Sequence, residues 1–128
     1  MKKILPFFLA ALLLAGCAAP AEKNTYRQVN MDEAITMMDE ESGYIILDVR
    51  TPEEFAGKHI PGAVNIPNET IGTTEIPELP DRDQLILVYC RSGNRSKQAS
   101  EKLVALGYTN IVEFGGINDW PGETVSGP

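Results

Sequence analysis

The chain is short and acidic, and this combination limits what it can be. It has 128 residues, a hydrophobic fraction of 43% and a formal net charge of −7, which indicate one globular domain with a single core. The acidic balance argues against nucleic acid as a partner, because nucleic-acid-binding domains carry an excess of Lys and Arg. One histidine and two cysteines do not predict a metal site.

The chain begins with a segment typical of an exported protein. Two lysines precede the apolar residues 4–15, a run that is too short to span a bilayer and typical of a secretory signal. The run ends in LAGC, which resembles the lipobox of bacterial lipoproteins. This resemblance implies that residues 1–16 are removed as a signal peptide. It also implies that residues 17–24 are a lipidated Cys17 and its tether, whereas a plain signal peptide cut elsewhere is the alternative.

The lipobox resemblance also implies a location. A lipidated Cys17 anchors the domain in the bacterial cell envelope, facing the periplasm and attached to membrane by lipid. The next residue is Ala18, not aspartate, which by resemblance to enteric lipoproteins implies the outer membrane. With Cys17 lipidated, Cys90 is the one free thiol of the mature protein, so neither a disulfide nor dithiol redox chemistry within the chain is expected.

Residues 25–128 alternate between short apolar runs and amphipathic segments. This alternation predicts an α/β domain with a mainly parallel sheet. The predicted strands are residues 25–29, 44–49, 63–66, 85–89 and 111–114. Helices are expected after Asn30, after Thr51 and over residues 96–106, since Asn30, Thr51 and Ser96 are residue types that cap helix N-termini.

Cys90 stands where a predicted strand meets a predicted helix. Backbone amides in such a loop and at a helix N-terminus converge on an anion, and Arg91 and Arg95 add positive charge. Each of these features favours the thiolate, which is the nucleophilic form of cysteine. A buried structural cysteine is the alternative, and the flanking arginines and Gly93 argue against it.

The loop CRSGNRS resembles the active-site loop CRxGxRS of rhodanese-like sulfurtransferases. The matching residues are Cys90, Arg91, Gly93, Arg95 and Ser96. The segments LDVR, GKHIPGAVNIP and GGINDW follow the pattern of the same family in the same order, so the resemblance covers nearly all of residues 25–122. It implies that residues 25–128 form a rhodanese-like three-layer sandwich, in which a mainly parallel five-stranded sheet is flanked by helices.

The resemblance also implies a reaction. Cys90 is expected to take sulfane sulfur from thiosulfate or a persulfide donor, carry it as a persulfide, and pass it to cyanide, a thiol or a partner protein. No metal or organic cofactor is needed for this transfer. Substrate binding is expected to fall to the residues of the loop: Arg91, Ser92, Gly93, Asn94, Arg95 and Ser96.

Three residues outside the loop are expected to support the site. By resemblance to the family, Asp48 helps to hold the architecture of the site, and Arg50 pairs with Asp48 or with acids of the following helix. His59 is the one histidine of the chain and could act as a general base for Cys90. In the family, however, the histidine of HIPGA belongs to the structure of its loop, and this is the role expected here.

Two other functions share these sequence features. A phosphatase of the related cell-cycle type, or an arsenate reductase, uses a similar loop, but there one more residue separates the cysteine from the arginine. A smaller ring of amides suits a sulfane sulfur and a larger ring suits a tetrahedral phosphate. A non-catalytic rhodanese-like binding module is the second alternative, although such modules usually lack the cysteine that this chain retains.

Overall fold

The computed structural model describes residues 25–128. The predicted signal peptide, lipidated cysteine and tether therefore lie outside the described residues. Between residues 25 and 128, no helix is long and apolar enough to cross a membrane.

The centre of the domain is a sheet of five parallel strands in the order β1-β5-β4-β2-β3. The strands are Arg27–Gln28 (β1), Ile45–Asp48 (β2), Val64–Asn65 (β3), Ile86–Cys90 (β4) and Ile111–Gly116 (β5). Every residue of the central strand β4 is buried, because helices cover both faces of the sheet, as parallel strands require. The predicted fold class, an α/β sandwich with a mainly parallel five-stranded sheet, is confirmed.

Helix α1 (Met31–Glu40) and helix α2 (Pro52–Gly57) begin at capping boxes. Asn30 and Glu33 exchange side-chain and backbone hydrogen bonds at the start of α1, with lengths of 2.8 and 2.9 Å. Thr51 and Glu54 do the same at the start of α2, where Pro52 occupies the first turn. Each capping box satisfies amide groups that a helix terminus would otherwise leave unpaired.

Helix α1 and helix α3 (Asn94–Ala105) lie on opposite faces of the sheet. Ala34 of α1 belongs to one core cluster, together with Leu87 and Tyr89 of β4. Ala99 and Leu103 of α3 belong to the other cluster. Since side chains of a strand alternate between faces, β4 supplies both cores and is fixed between them. The position of its last residue, Cys90, is therefore set by packing on both sides.

At the Cys90 end of the sheet, two details of the sequence prediction were wrong. Ser96 was expected to cap α3, but the helix begins at Asn94 and Gly93 is its N-cap residue. Gly93 has a φ of 116°, a conformation that suits glycine because it has no Cβ, and this tight turn starts the helix earlier. The last strand extends to Gly116, which pairs with Cys90 beyond an irregularity between Val88 and Cys90.

Candidate active site

Cys90 ends β4 and is 1% exposed. The chain turns at Gly93 and enters α3, so the sulfur lies inside the turn. The Gly93 amide donates a hydrogen bond of 3.0 Å to Cys90 Sγ, and Ser96 Oγ lies 3.4 Å from the same sulfur. Ser96, at the third position of the helix, therefore contacts the sulfur and does not cap the helix terminus.

The pKa of the Cys90 thiol is lowered from its ordinary value. Burial acts to raise this pKa, but hydrogen bonding of the sulfur with Ser96 and with the amides of Gly93 and Ser92 outweighs burial. The loop thus stabilises the thiolate mainly through neutral donors that point at the sulfur. A lowered pKa increases the fraction of the thiol that is present as thiolate, the nucleophilic form of cysteine, at a given pH.

The guanidinium of Arg95 forms an ion pair with a carboxylate. Its two terminal nitrogens donate to the two oxygens of Glu54 on α2, at 2.8 and 3.1 Å. Hydrogen bonding to Arg95 lowers the pKa of Glu54 to about 2. The sequence analysis expected Arg95 to act on the sulfur and on the donor, whereas the structure shows that its guanidinium also clamps α2 against the loop.

Arg91 differs from Arg95 because its side chain is exposed. It lines a cleft of about 340 Å³ together with Lys58 and Asn118, and the same cleft also contains the acids Glu53 and Glu54. The backbone of Arg91 is fixed, since its carbonyl oxygen accepts a hydrogen bond of 3.1 Å from the amide of Asn118. An exposed guanidinium on a fixed loop beside a cleft is suited to meet an incoming anion.

Asp48 and Arg50 form a buried ion pair at the end of β2. Arg50 Nη2 lies 2.6 Å from Asp48 Oδ2, and the two side chains are 4% and 0% exposed. Arg50 Nη2 also donates to the carbonyl oxygen of Lys58 at 2.7 Å, which ties the segment after α2 to the sheet. Both side chains contact protein groups, and their supporting role at the site stays a prediction.

His59 packs against Phe55 of α2. The two rings stack with their centroids 3.7 Å apart, and His59 Nδ1 lies 2.8 Å from the carbonyl oxygen of Phe55. Because a carbonyl oxygen can only accept, this contact assigns the proton to Nδ1. The backbone of His59 pairs with Val125 of the C-terminal segment. The described contacts of His59 thus hold the chain together and do not involve Cys90.

Glu113 and Gly116 are two residues of the site that the sequence analysis missed. Glu113 is 2% exposed, and its Oε2 accepts a hydrogen bond of 2.5 Å from Ser96 Oγ. Gly116 passes so close to the loop that a Cβ at this position would overlap the carbonyl group of Arg91. An acidic residue inside an otherwise apolar strand is the signal that could have indicated Glu113. No residue next to Gly116 in the sequence indicates that its backbone packs against that of Arg91.

Comparison with known proteins assigns the class to which this fold and cysteine loop belong. Residues 30–123 match the family described as "Rhodanese-like domain", so the chain belongs to the rhodanese-like family. Residues 1–18 match the "Prokaryotic membrane lipoprotein lipid attachment site".

Relatives and solved structures agree with this assignment. The chain is 38% identical over 73 residues to the thiosulfate sulfurtransferase PspE of Escherichia coli, covering 57% of this chain and 70% of that protein. It is 31% identical to the thiosulfate sulfurtransferase GlpE of Pseudomonas entomophila, covering 80% and 94%. A solved structure described as "rhodanese with anions from E. coli" has 36% identity and a TM-score of 0.60, covering 66% of this chain and 99% of that one. A rhodanese-like domain protein from Staphylococcus aureus has 30% identity and a TM-score of 0.66, covering 80% and 99%.

Proposed function

We propose that the protein is a sulfurtransferase that moves sulfane sulfur through a persulfide on Cys90. The observation that carries this proposal is the environment of the Cys90 sulfur. Sγ is buried and accepts a hydrogen bond of 3.0 Å from the Gly93 amide, and the pKa of the thiol is lowered. The same cysteine occupies the loop of a rhodanese-like domain. Thiosulfate or a persulfide is the donor, and cyanide, a thiol or a partner protein is the acceptor.

The transfer has two steps. In the first, the Cys90 thiolate attacks the outer sulfur of thiosulfate, a new S–S bond forms at Sγ, and the S–S bond of thiosulfate breaks. Sulfite leaves with the electron pair of that bond, Sγ becomes neutral, and the outer sulfur keeps the negative charge that it carried in thiosulfate. In the second step, an acceptor such as cyanide attacks the outer sulfur, thiocyanate leaves, and the Cys90 thiolate is regenerated.

Backbone amides of the loop stabilise the charge that develops on the persulfide. The amides of Ser92, Gly93 and Ser96 already lower the pKa of Cys90, so they are directed at the sulfur to which the outer sulfur is bonded. Fixed donors of this kind need no rearrangement during the reaction and stabilise the transition state in the manner of an oxyanion hole. Asn94, the first residue of α3, completes the loop that presents these donors.

Intact mass of the purified protein tests the proposal. Incubation with thiosulfate should add the mass of one sulfur atom, and later addition of cyanide should remove it. A protein that gains no mass with thiosulfate or with any persulfide donor would exclude a sulfurtransferase and would favour a non-catalytic binding module.

Arg91 is proposed to bind the anionic end of the donor. Replacing it in Arg91→Ala should raise KM for thiosulfate about tenfold, the effect expected from losing one charge-assisted contact. The rate with a persulfide donor that has no anionic group besides its outer sulfur should change little, because the loop amides remain. The matched control is Arg27→Ala, since Arg27 is an exposed arginine on β1 that lines a different cleft. An unchanged KM for thiosulfate in Arg91→Ala would remove Arg91 from this role.

We also propose that Cys17 carries lipid and anchors the domain in the envelope, facing the periplasm from the outer membrane. The match of residues 1–18 to a lipoprotein attachment site supports this, and Ala18 supports the outer membrane as the destination. In bacterial cells, Cys17→Ala should move the protein from the outer-membrane fraction to a soluble fraction. Unaltered membrane association of this variant would contradict the lipid anchor.

A further inference from the structure

A buried carboxylate is connected to the reactive sulfur through the hydroxyl group of Ser96, which contacts both. Glu113 is on β5 and is 2% exposed. Its Oε2 accepts hydrogen bonds from Ser96 Oγ at 2.5 Å and from the Gly115 amide at 3.0 Å, and its Oε1 accepts one from Gln28 Nε2 at 3.4 Å. All three donors are neutral, and neither ion pair found between residues 25 and 128 includes Glu113.

The direction in which the Ser96 hydroxyl donates its single proton determines whether Ser96 stabilises the thiol or the thiolate of Cys90. The hydroxyl can donate to only one neighbour at a time, and Glu113 Oε2 at 2.5 Å is much closer than Cys90 Sγ at 3.4 Å. With Glu113 ionised, Ser96 therefore gives its proton to the carboxylate and turns a lone pair toward the sulfur. A lone pair suits the S–H group of a thiol and opposes the charge of a thiolate.

We propose that Glu113, acting through Ser96 as a positioning residue, destabilises the free thiolate of Cys90 and thereby favours the sulfur-loaded form of the protein. This inference rests on the proposed function. In the thiolate, the negative charge is on Sγ and faces both the Ser96 lone pair and the Glu113 carboxylate. In the persulfide, Sγ is neutral and the charge has moved outward by one S–S bond, toward the loop amides. Sulfur loading therefore relieves a repulsion that the free enzyme carries.

The other charged groups around the loop act on Cys90 separately from Glu113, and the charge of Arg95 favours the thiolate. Arg95 is paired with Glu54 from α2, and at the end of β2 the charges of Arg50 and Asp48 compensate each other. Arg91 is on the exposed side of the loop. Glu113 thus contributes an unmatched negative charge on the buried side of the sulfur.

The variant Glu113→Gln tests the inference, because it keeps the size and an accepting oxygen for Ser96 while removing the charge. The pH dependence of Cys90 alkylation by iodoacetamide should shift so that its midpoint falls by about one pH unit, the size expected for loss of a nearby like charge. The equilibrium with thiosulfate and sulfite should shift about tenfold toward unloaded protein, measured above both alkylation midpoints. The control Glu101→Gln, which removes an exposed carboxylate from the same helix α3, should leave both quantities unchanged.

The outcomes separate this inference from the proposed function. If the wild-type protein takes no sulfur from thiosulfate or any persulfide donor, the proposed function is wrong. If it does, and Glu113→Gln is folded but has the wild-type alkylation midpoint and loading equilibrium, then Glu113 does not have this role. Should Glu113→Gln fail to fold, carboxyl ¹³C NMR of the wild-type chain gives the same test. The chemical shift of Glu113 Cδ should change at the pH where Cys90 ionises, and this change should disappear after sulfur loading. If the free protein shows no such change, the inference is wrong.

Discussion

Replacing Cys90 by serine is expected to reduce sulfur transfer on the order of a millionfold, to below detection. A serine hydroxyl does not ionise at neutral pH, and an oxygen in place of Sγ cannot form the S–S bond that carries the transferred sulfur. The measurement is intact mass after incubation with thiosulfate, combined with a rate assay for thiocyanate formed from cyanide. Cys90→Ser should gain no sulfur and form no thiocyanate.

The fold should survive this change. The Gly93 amide, 3.0 Å from Sγ, can donate to a serine oxygen as well, so the free energy of unfolding should change by no more than about 1.5 kcal/mol. Circular dichroism and thermal unfolding check this. Cys17→Ala is the matched control, because it removes the other cysteine of the chain and should still gain one sulfur atom. Sulfur transfer by a folded Cys90→Ser protein would exclude the persulfide mechanism.

The parts of the fold that local chemistry determines could be predicted from the sequence. Asn30 with Glu33, and Thr51 with Glu54, form the capping boxes that begin α1 and α2. Both pairs are close in sequence, so the residue types alone indicate them. The five strands were also predicted. For β2, β4 and β5 the signal is an apolar run of the length typical of strands buried between helices. The order of alternating elements then indicated the fold class.

The parts of the site that depend on pairing between distant segments could not be predicted. Arg95 meets Glu54 across 41 residues, and Ser96 meets Glu113 across 17. These contacts exist because the parallel sheet brings the end of β5 beside the end of β4, and because α2 packs near the loop. The sequence indicated which residues carry charge, but the partner of each charge follows from the order of the strands.

This difference changes the account of how Cys90 is activated. The sequence predicts that backbone amides, the helix N-terminus and the charges of Arg91 and Arg95 all stabilise the thiolate. In the structure, Arg95 is bound to Glu54 and Arg91 is exposed. The contacts that most lower the pKa of Cys90 are hydrogen bonds with Ser96 and with the backbone amides of Gly93 and Ser92. Activation of the sulfur therefore depends on the position of the loop backbone more than on side-chain charge.

If the position of the loop backbone activates Cys90, then a change that moves the loop without touching the cysteine should impair the site. Gly116→Ala is such a change. Gly116 pairs with Cys90 in the sheet, and a Cβ there would overlap the carbonyl group of Arg91 and lie 2.5 Å from the amide nitrogen of Ser92. That amide is one of the donors that lower the pKa of Cys90. Because Gly116 has an extended backbone, with φ −150°, the requirement for glycine is one of space.

The expected results of Gly116→Ala are a loss of about 1–3 kcal/mol in the free energy of unfolding and a fall of about 100-fold in the rate of sulfur loading. Cys90 should also ionise at a higher pH, since the displaced Ser92 amide no longer supports the thiolate. Chemical denaturation, stopped-flow loading with thiosulfate and the pH dependence of alkylation measure these three quantities. Gly72→Ala is the control, because no atom lies within 4 Å of a Cβ placed there, and it should match the wild-type protein in all three. A folded Gly116→Ala protein with the wild-type loading rate and the wild-type pH of Cys90 ionisation would contradict this prediction. The thiolate would then not depend on the position of the loop backbone, and the charges of Arg91 and Arg95 would have to account for its stabilisation.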